Sequence, residues 1–187
     1  MSQTLFTHDT ELTLRAACAL VNSDRIAGDQ LTDHAALDAY LRDYGWTGRR
    51  DRDGLELAAV HRLRCRLGRI WAGADDEVRT VEQVNELLAD TRAAPMLTRH
   101  AEMPEWHLHL ASADDPLAQR MGAEMAMALA DLIRAGELRR LKKCVAPDCP
   151  AVLIDLSRNR SRLFCDTGNC GNRQHVAAYR QRRSGNH

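Results

Sequence analysis

Four cysteines near the C-terminus are spaced so that they can share one ligand: Cys144-x4-Cys149, then fifteen residues, then Cys165-x4-Cys170. Thiolates are soft ligands, and a tetrahedral set of four suits Zn2+. Ligands paired closely in sequence keep down the loop entropy lost in gathering them. Pro147, Pro150, Gly168 and Gly171 supply turn residues around the metal. An iron–sulfur cluster also accepts four cysteines, and unligated thiols are the plain alternative; two regular pairs favour one structural zinc. Four ligands leave no open position, so such a site holds a fold together and does not activate water. Structural zinc binds with roughly 10 to 16 kcal/mol, enough to decide whether a small module folds, and without metal the C-terminal part is expected to be disordered. His175, five residues past Cys170, is the nearby side chain that could replace a cysteine.

The second chemistry is cationic. Lys142, Lys143, Arg158, Arg160, Arg162, Arg173, Arg180, Arg182 and Arg183 crowd around the cysteines, and guanidinium groups hold phosphate oxygens bidentately. The formal charge of zero hides a segregation. Residues 1–138 carry 15 Arg against 23 Asp and Glu, net −8, and residues 139–187 carry 9 Arg and 2 Lys against 3 Asp, net +8. An Arg-rich segment of this kind points to DNA as partner, through phosphate contacts and guanine readout. Docking of the two oppositely charged ends on each other is the plainer reading. Some arginines have structural work: Asp155 can pair with one of Arg158, Arg160 and Arg162, and Arg173 can offset the negative charge of a four-thiolate zinc. Phe164 and Tyr179 are the aromatics of this segment and read as core, which disfavours recognition of single strands by stacking.

Other chemistries find little support. His100-Ala101-Glu102 matches the first half of the zinc deaminase signature, but no Pro precedes Cys144 and the pair spacing is wrong. There is no Gly-rich phosphate loop, no His-Glu-x-x-His and no nucleophile elbow, so the chain is read as a non-enzyme. Cys18 and Cys65 sit among apolar helix neighbours and read as small core residues; His107 and His109 read as surface histidines. No stretch approaches the roughly 20 apolar residues of a membrane helix, and Met1-Ser2-Gln3-Thr4 lacks a signal-peptide pattern. A soluble cytoplasmic protein with reduced cysteines is expected.

The elements that must position these residues are mostly helical. Apolar spacing predicts helices over 10–22, over 33–44 with Thr32 as a cap, and from just after Asp53 through Trp71. Thr80-Val81-Glu82-Gln83 fits a capping box and predicts a short helix to Leu88. Between 96 and 112 the period changes to two: Trp106, Leu108 and Leu110 share one strand face, His107 and His109 the other, and residues 96–100 can pair with them. Asp114 and Asp115 before Pro116 open an Ala/Met-rich helix that ends at Gly136. Between the cysteine pairs, Val152-Leu153-Ile154 and Leu163-Phe164 flank the polar turn Ser157–Arg160 and predict a hairpin. Asn172 can cap a final helix with Val176, Ala177 and Tyr179 on one side. The expected fold is mainly α with a small β hairpin (α+β): an acidic helical domain over 1–138 and a basic, treble-clef-like zinc finger over 139–187.

Cys170-Gly171-Asn172-Arg173, preceded by the run Asp155–Arg162 and the cysteine pairs, resembles the CGNR zinc-finger family of bacterial proteins over residues 142–183. In that family an alanine-rich helical domain named ABATE precedes the finger, and residues 1–138 are compatible with it. The family is described as stress-induced transcription regulators whose DNA binding is inferred from basic residues. The chain departs from the pattern at Phe164, where Trp is usual, and at Gln174-His175, where a Lys is common; losing that Lys removes one phosphate contact. The resemblance implies a zinc-finger DNA-binding transcription regulator, whose N-terminal domain senses a small-molecule effector or forms a homodimer. The alternative is a zinc-stabilised module that docks protein or RNA and does not bind DNA.

Overall fold

The structure, a computed structural model, describes residues 6–100 and 103–184. Four helices come first: α1 (His8–Asn22), α2 (His34–Asp43), α3 (Gly54–Ala72) and α4 (Glu77–Asp90). Three of them begin at an aspartate whose carboxylate accepts a free first-turn N–H: Asp33 from Ala36, Asp53 from Glu56 and Asp76 from Arg79. Asp33, one residue beyond the expected Thr32, therefore caps α2. Likewise α4 starts at Glu77, ahead of the expected capping box, and Thr80 lies buried inside it with its hydroxyl donating to the Gly73 carbonyl at 3.0 Å. An Asp in extended conformation at position 76 is as good a cap as a threonine, and it comes first.

Strands β1 (Met96–His100) and β2 (Met103–His109) then form an antiparallel pair, with Leu97 opposite Leu108 and Thr98 opposite His107. The alternation is as expected, but its apolar face does not join the core. Leu97, Trp106 and Leu108 are 70%, 64% and 38% exposed, and only Leu110 at the base is buried. The Arg99 guanidinium lies over the Trp106 ring at 4.9 Å. Ala101 and Glu102 of the His-x-Glu tripeptide lie outside the described residues.

Helix α5 (Leu117–Arg134) is the spine of the helical part. Met121, Met125, Leu129 and Leu132 are fully buried against α1, α3 and α4. Gly122 sets the close approach: a Cβ there would stand 2.8 Å from the Thr91 methyl. Pro116 occupies the cap position of α5, and the Asp115 carboxylate instead accepts the Ser112 N–H in the turn before it.

The chain returns through a 3-10 turn, Leu138–Arg140, into β3 (Leu141–Lys143), which pairs antiparallel with β4 (Val152–Ile154), Leu141 facing Ile154. The expected hairpin of 152–154 with Leu163-Phe164 is thus corrected. Leu163 and Phe164 fold over the cysteines, the Leu163 carbonyl accepting the Val145 N–H at 3.0 Å. The last element is α6 (Cys170–Ser184).

The hairpin β3–β4 is part of the helical core. Leu141, Val152 and Ile154 belong to the same buried cluster as Leu14, Leu67 and Met125. The Asn22 side-chain amide completes the open edge of β4: it donates to the Val152 carbonyl and accepts the Val152 N–H, both at 2.9 Å. The Trp71 indole N–H donates to the Leu153 carbonyl at 3.2 Å. Cys18 is buried beneath this edge, whereas Cys65, expected in the core, is exposed because it lies on the outer side of α3. No helix among the described residues is long and apolar enough to cross a membrane.

Candidate metal centre

The β3–β4 connection is a tight knuckle. Cys144 leaves β3 and Cys149 precedes β4, with the Cys144 N–H donating to Ala151 O at 2.9 Å and the Cys149 N–H to Ala146 O at 3.2 Å. Asp148, at φ 60°, makes the reversal. The second pair is built by a turn from Asp166 to Asn169, with Asn169 at φ 47°, that delivers Cys170 to the first position of α6. The Cys165 N–H points at Cys144 Sγ from 3.4 Å and joins the halves.

All four Sγ atoms lie within 4.8 Å of one another, and Cys165 is 3.7 Å from both Cys149 and Cys170. A zinc ion with four bonds of about 2.3 Å has ligand sulfurs about 3.8 Å apart, whereas a disulfide would need about 2.05 Å. Spacing and donor set therefore fit one structural zinc held by Cys144, Cys149, Cys165 and Cys170. Burial pushes the Cys165 thiol up to about 12, while Cys144, against the effect of burial, is drawn to about 7 by the N–H groups of Cys165 and Ala146. A divalent cation favours all four thiolates and removes that conflict. Gly168 forms the floor, where a Cβ would stand 2.9 Å from Cys170 Sγ and 3.4 Å from Cys165 Sγ. Arg173 lies one turn into α6 and donates to Cys170 Sγ at 3.0 Å. His175 is exposed on α6 and stands outside the thiol cluster.

The cationic residues separate by environment. Lys142 is committed to the fold: its ammonium donates to Asp155 at 2.6 Å and to the carbonyls of Arg160 and Arg162 at 2.6 and 3.2 Å. Asp155 is fully buried and also accepts Ser157 N and Oγ and Arg162 N. Burial opposes its ionisation, but Lys142 and Ser157 hold the carboxyl down at about 2. Arg160 pairs with Glu137 at 3.3 Å, and Arg162 with Asp166. Lys143, and Arg158 in the loop that follows β4, are exposed, as are Arg173, Arg180, Arg182 and Arg183 on α6, with the Arg183 guanidinium 5.9 Å from the Tyr179 ring. Tyr179, expected in the core, is 56% exposed and Val176 beside it 48%, while Phe164 packs on the cysteines. A cleft of about 470 Å³ opens beside the first turn of α6, lined by Arg162, Phe164, Asn169 and Asn172 among others.

Sequence reasoning missed Arg140. It is buried, and it ties Glu137 to the carbonyls of Asp155 and Ser157, both at 2.7 Å. An Arg–Arg–Leu–Lys–Lys run gives no sign that its second and fourth members face inward.

A zinc site assembled from a knuckle at one hairpin end and the start of a terminal helix defines a zinc finger, here fused to a helical domain. The chain belongs to the ABATE family: that family, described as "Putative stress-induced transcription regulator", matches residues 14–136, and the CGNR zinc finger matches residues 140–183. No curated protein matches the chain.

Proposed function

We propose that this chain is a transcription regulator whose zinc finger binds duplex DNA, with no catalytic step. The observation that carries the reading is the surface of α6. From Asn172 to Arg183 its described side chains are exposed or half-exposed, four of them arginines, on a helix of 15 residues that is about 22 Å long. A projecting cationic helix matches the major groove, which admits one. Lys143 and Arg158 add charge from the hairpin and the loop after it, and the zinc fixes all of them relative to one another. The N-terminal domain is the sensing or dimerising part of this regulator, acting in the cytoplasm; the outward apolar face of β1–β2 supports dimerisation.

One observation favours a second reading, docking of protein or RNA: Val176 and Tyr179 offer apolar surface beside the arginines. Gel shifts of zinc-loaded protein on genomic duplex fragments at low salt separate the two. The proposal expects a shift that is lost in an Arg180/Arg182/Arg183 triple alanine variant of unchanged helicity. No wild-type shift at low salt overturns it.

A further inference from the structure

Outside the zinc finger, one pair of side chains is arranged as metal ligands are. His107 and His109 occupy one face of β2, and their Nε2 atoms are 3.1 Å apart. Two nitrogens each about 2.1 Å from one cation stand about 3.0 Å apart in neighbouring octahedral positions and about 3.4 Å apart in a tetrahedron. The observed separation falls between these. The tautomer of His107 is set by its surroundings: Nδ1 lies 2.9 Å from the Glu105 carbonyl, which can only accept, so Nδ1 carries the proton and Nε2 presents its lone pair. A backbone carbonyl on the far nitrogen is the usual way a metal-binding imidazole is oriented.

A carboxyl on the neighbouring helix meets the end of this strand. Glu124 on α5 accepts the Leu110 N–H at 2.9 Å, one residue beyond β2. One shared proton and one divalent cation are alternative occupants of the space between the two Nε2 atoms.

We infer that His107 and His109 form a second metal site, a two-imidazole chelate on the β1–β2 hairpin of the ABATE domain, for a borderline divalent cation such as Ni2+, Cu2+ or Zn2+. The two imidazole nitrogens are chemically distinct from the four thiolates of the finger, so Ni2+ can be added to zinc-loaded protein with little competition for the cysteines. The test is a Ni2+ titration of the zinc-loaded full chain, followed by calorimetry and by paramagnetic broadening of the imidazole NMR signals. One Ni2+ per chain is expected beyond the finger zinc, with the His107 and His109 signals broadened first. Replacing either histidine, H107Q or H109Q, weakens binding more than the roughly tenfold loss that follows removal of an orienting partner. The double variant loses the site while keeping its far-ultraviolet spectrum and its zinc. Absence of Ni2+ binding to the zinc-loaded wild type, or binding unchanged in the double variant, overturns the inference.

Discussion

Lys142 and Lys143 are adjacent and identical in type, yet the fold gives them opposite tasks. Lys142 neutralises a fully buried carboxylate, Asp155, and Lys143 stands in solvent. Removing one partner of a buried pair costs about 3–5 kcal/mol, so Lys142→Ala lowers the unfolding midpoint sharply whereas Lys143→Ala leaves it within about 0.5 kcal/mol and weakens only the proposed DNA binding. Equal effects of the two substitutions in urea unfolding would contradict this division. Gly168 gives a second residue-scale expectation: a methyl there meets two ligand sulfurs, so Gly168→Ala loses zinc to a chromophoric chelator faster than wild type does, with the four cysteines intact. A third concerns acid. Arg64 grips Asp29 at 2.6 and 2.8 Å and holds its carboxyl at about 2, below the ordinary 3.8. A carboxyl depressed on folding stabilises fully above its unfolded value, and that contribution fades as pH falls from about 4 to about 2. Asp29 is partly exposed, so screening limits the term to about 1 kcal/mol. The stability gap between wild type and Asp29→Asn should close over that interval; a gap independent of pH would refute the assignment.

Among the elements, the hairpin β3–β4 changes what metal removal is expected to do. Sequence reading makes the whole C-terminal part depend on zinc, but Leu141, Val152 and Ile154 are held by the helical core, and the Asn22 amide and Trp71 indole satisfy the edge of β4. Chelation should therefore release the turn 165–169 and α6 while the amides of Val152 and Leu153 stay protected in hydrogen exchange; uniform loss of protection from 141 to 184 would contradict the shared core. The same elements show what was legible. The cysteine pairs, the helical periods and the alternation of β2 are local signals and are found where expected. The hairpin partner was not legible, because Leu141-Lys142-Lys143 hides its strand character behind a lysine whose burial depends on Asp155, thirteen residues away. The apolar run Leu163-Phe164, which imitates a strand, is spent covering the cysteines. Exposure of Trp106, Val176 and Tyr179 likewise cannot be read from period, which shows a shared face but not whether anything covers it.

At the scale of the molecule, a net +8 part packs on a net −8 part through one hairpin, and one metal within the +8 part ties that hairpin to α6. Glu137 takes both Arg140 and Arg160 at the junction, so some of the positive charge is used internally, and exposed cations stand on α6 and at Arg139, Lys143 and Arg158. In the proposed DNA complex that arrangement makes electrostatics the main source of affinity. With about five phosphates neutralised, the logarithm of the binding constant should fall with the logarithm of salt concentration at a slope near −4 to −5. The most direct measurement is fluorescence anisotropy of labelled duplex DNA with zinc-loaded protein across a salt series: binding with that slope is the predicted result, and a flat salt dependence or no binding at the lowest salt would contradict the account.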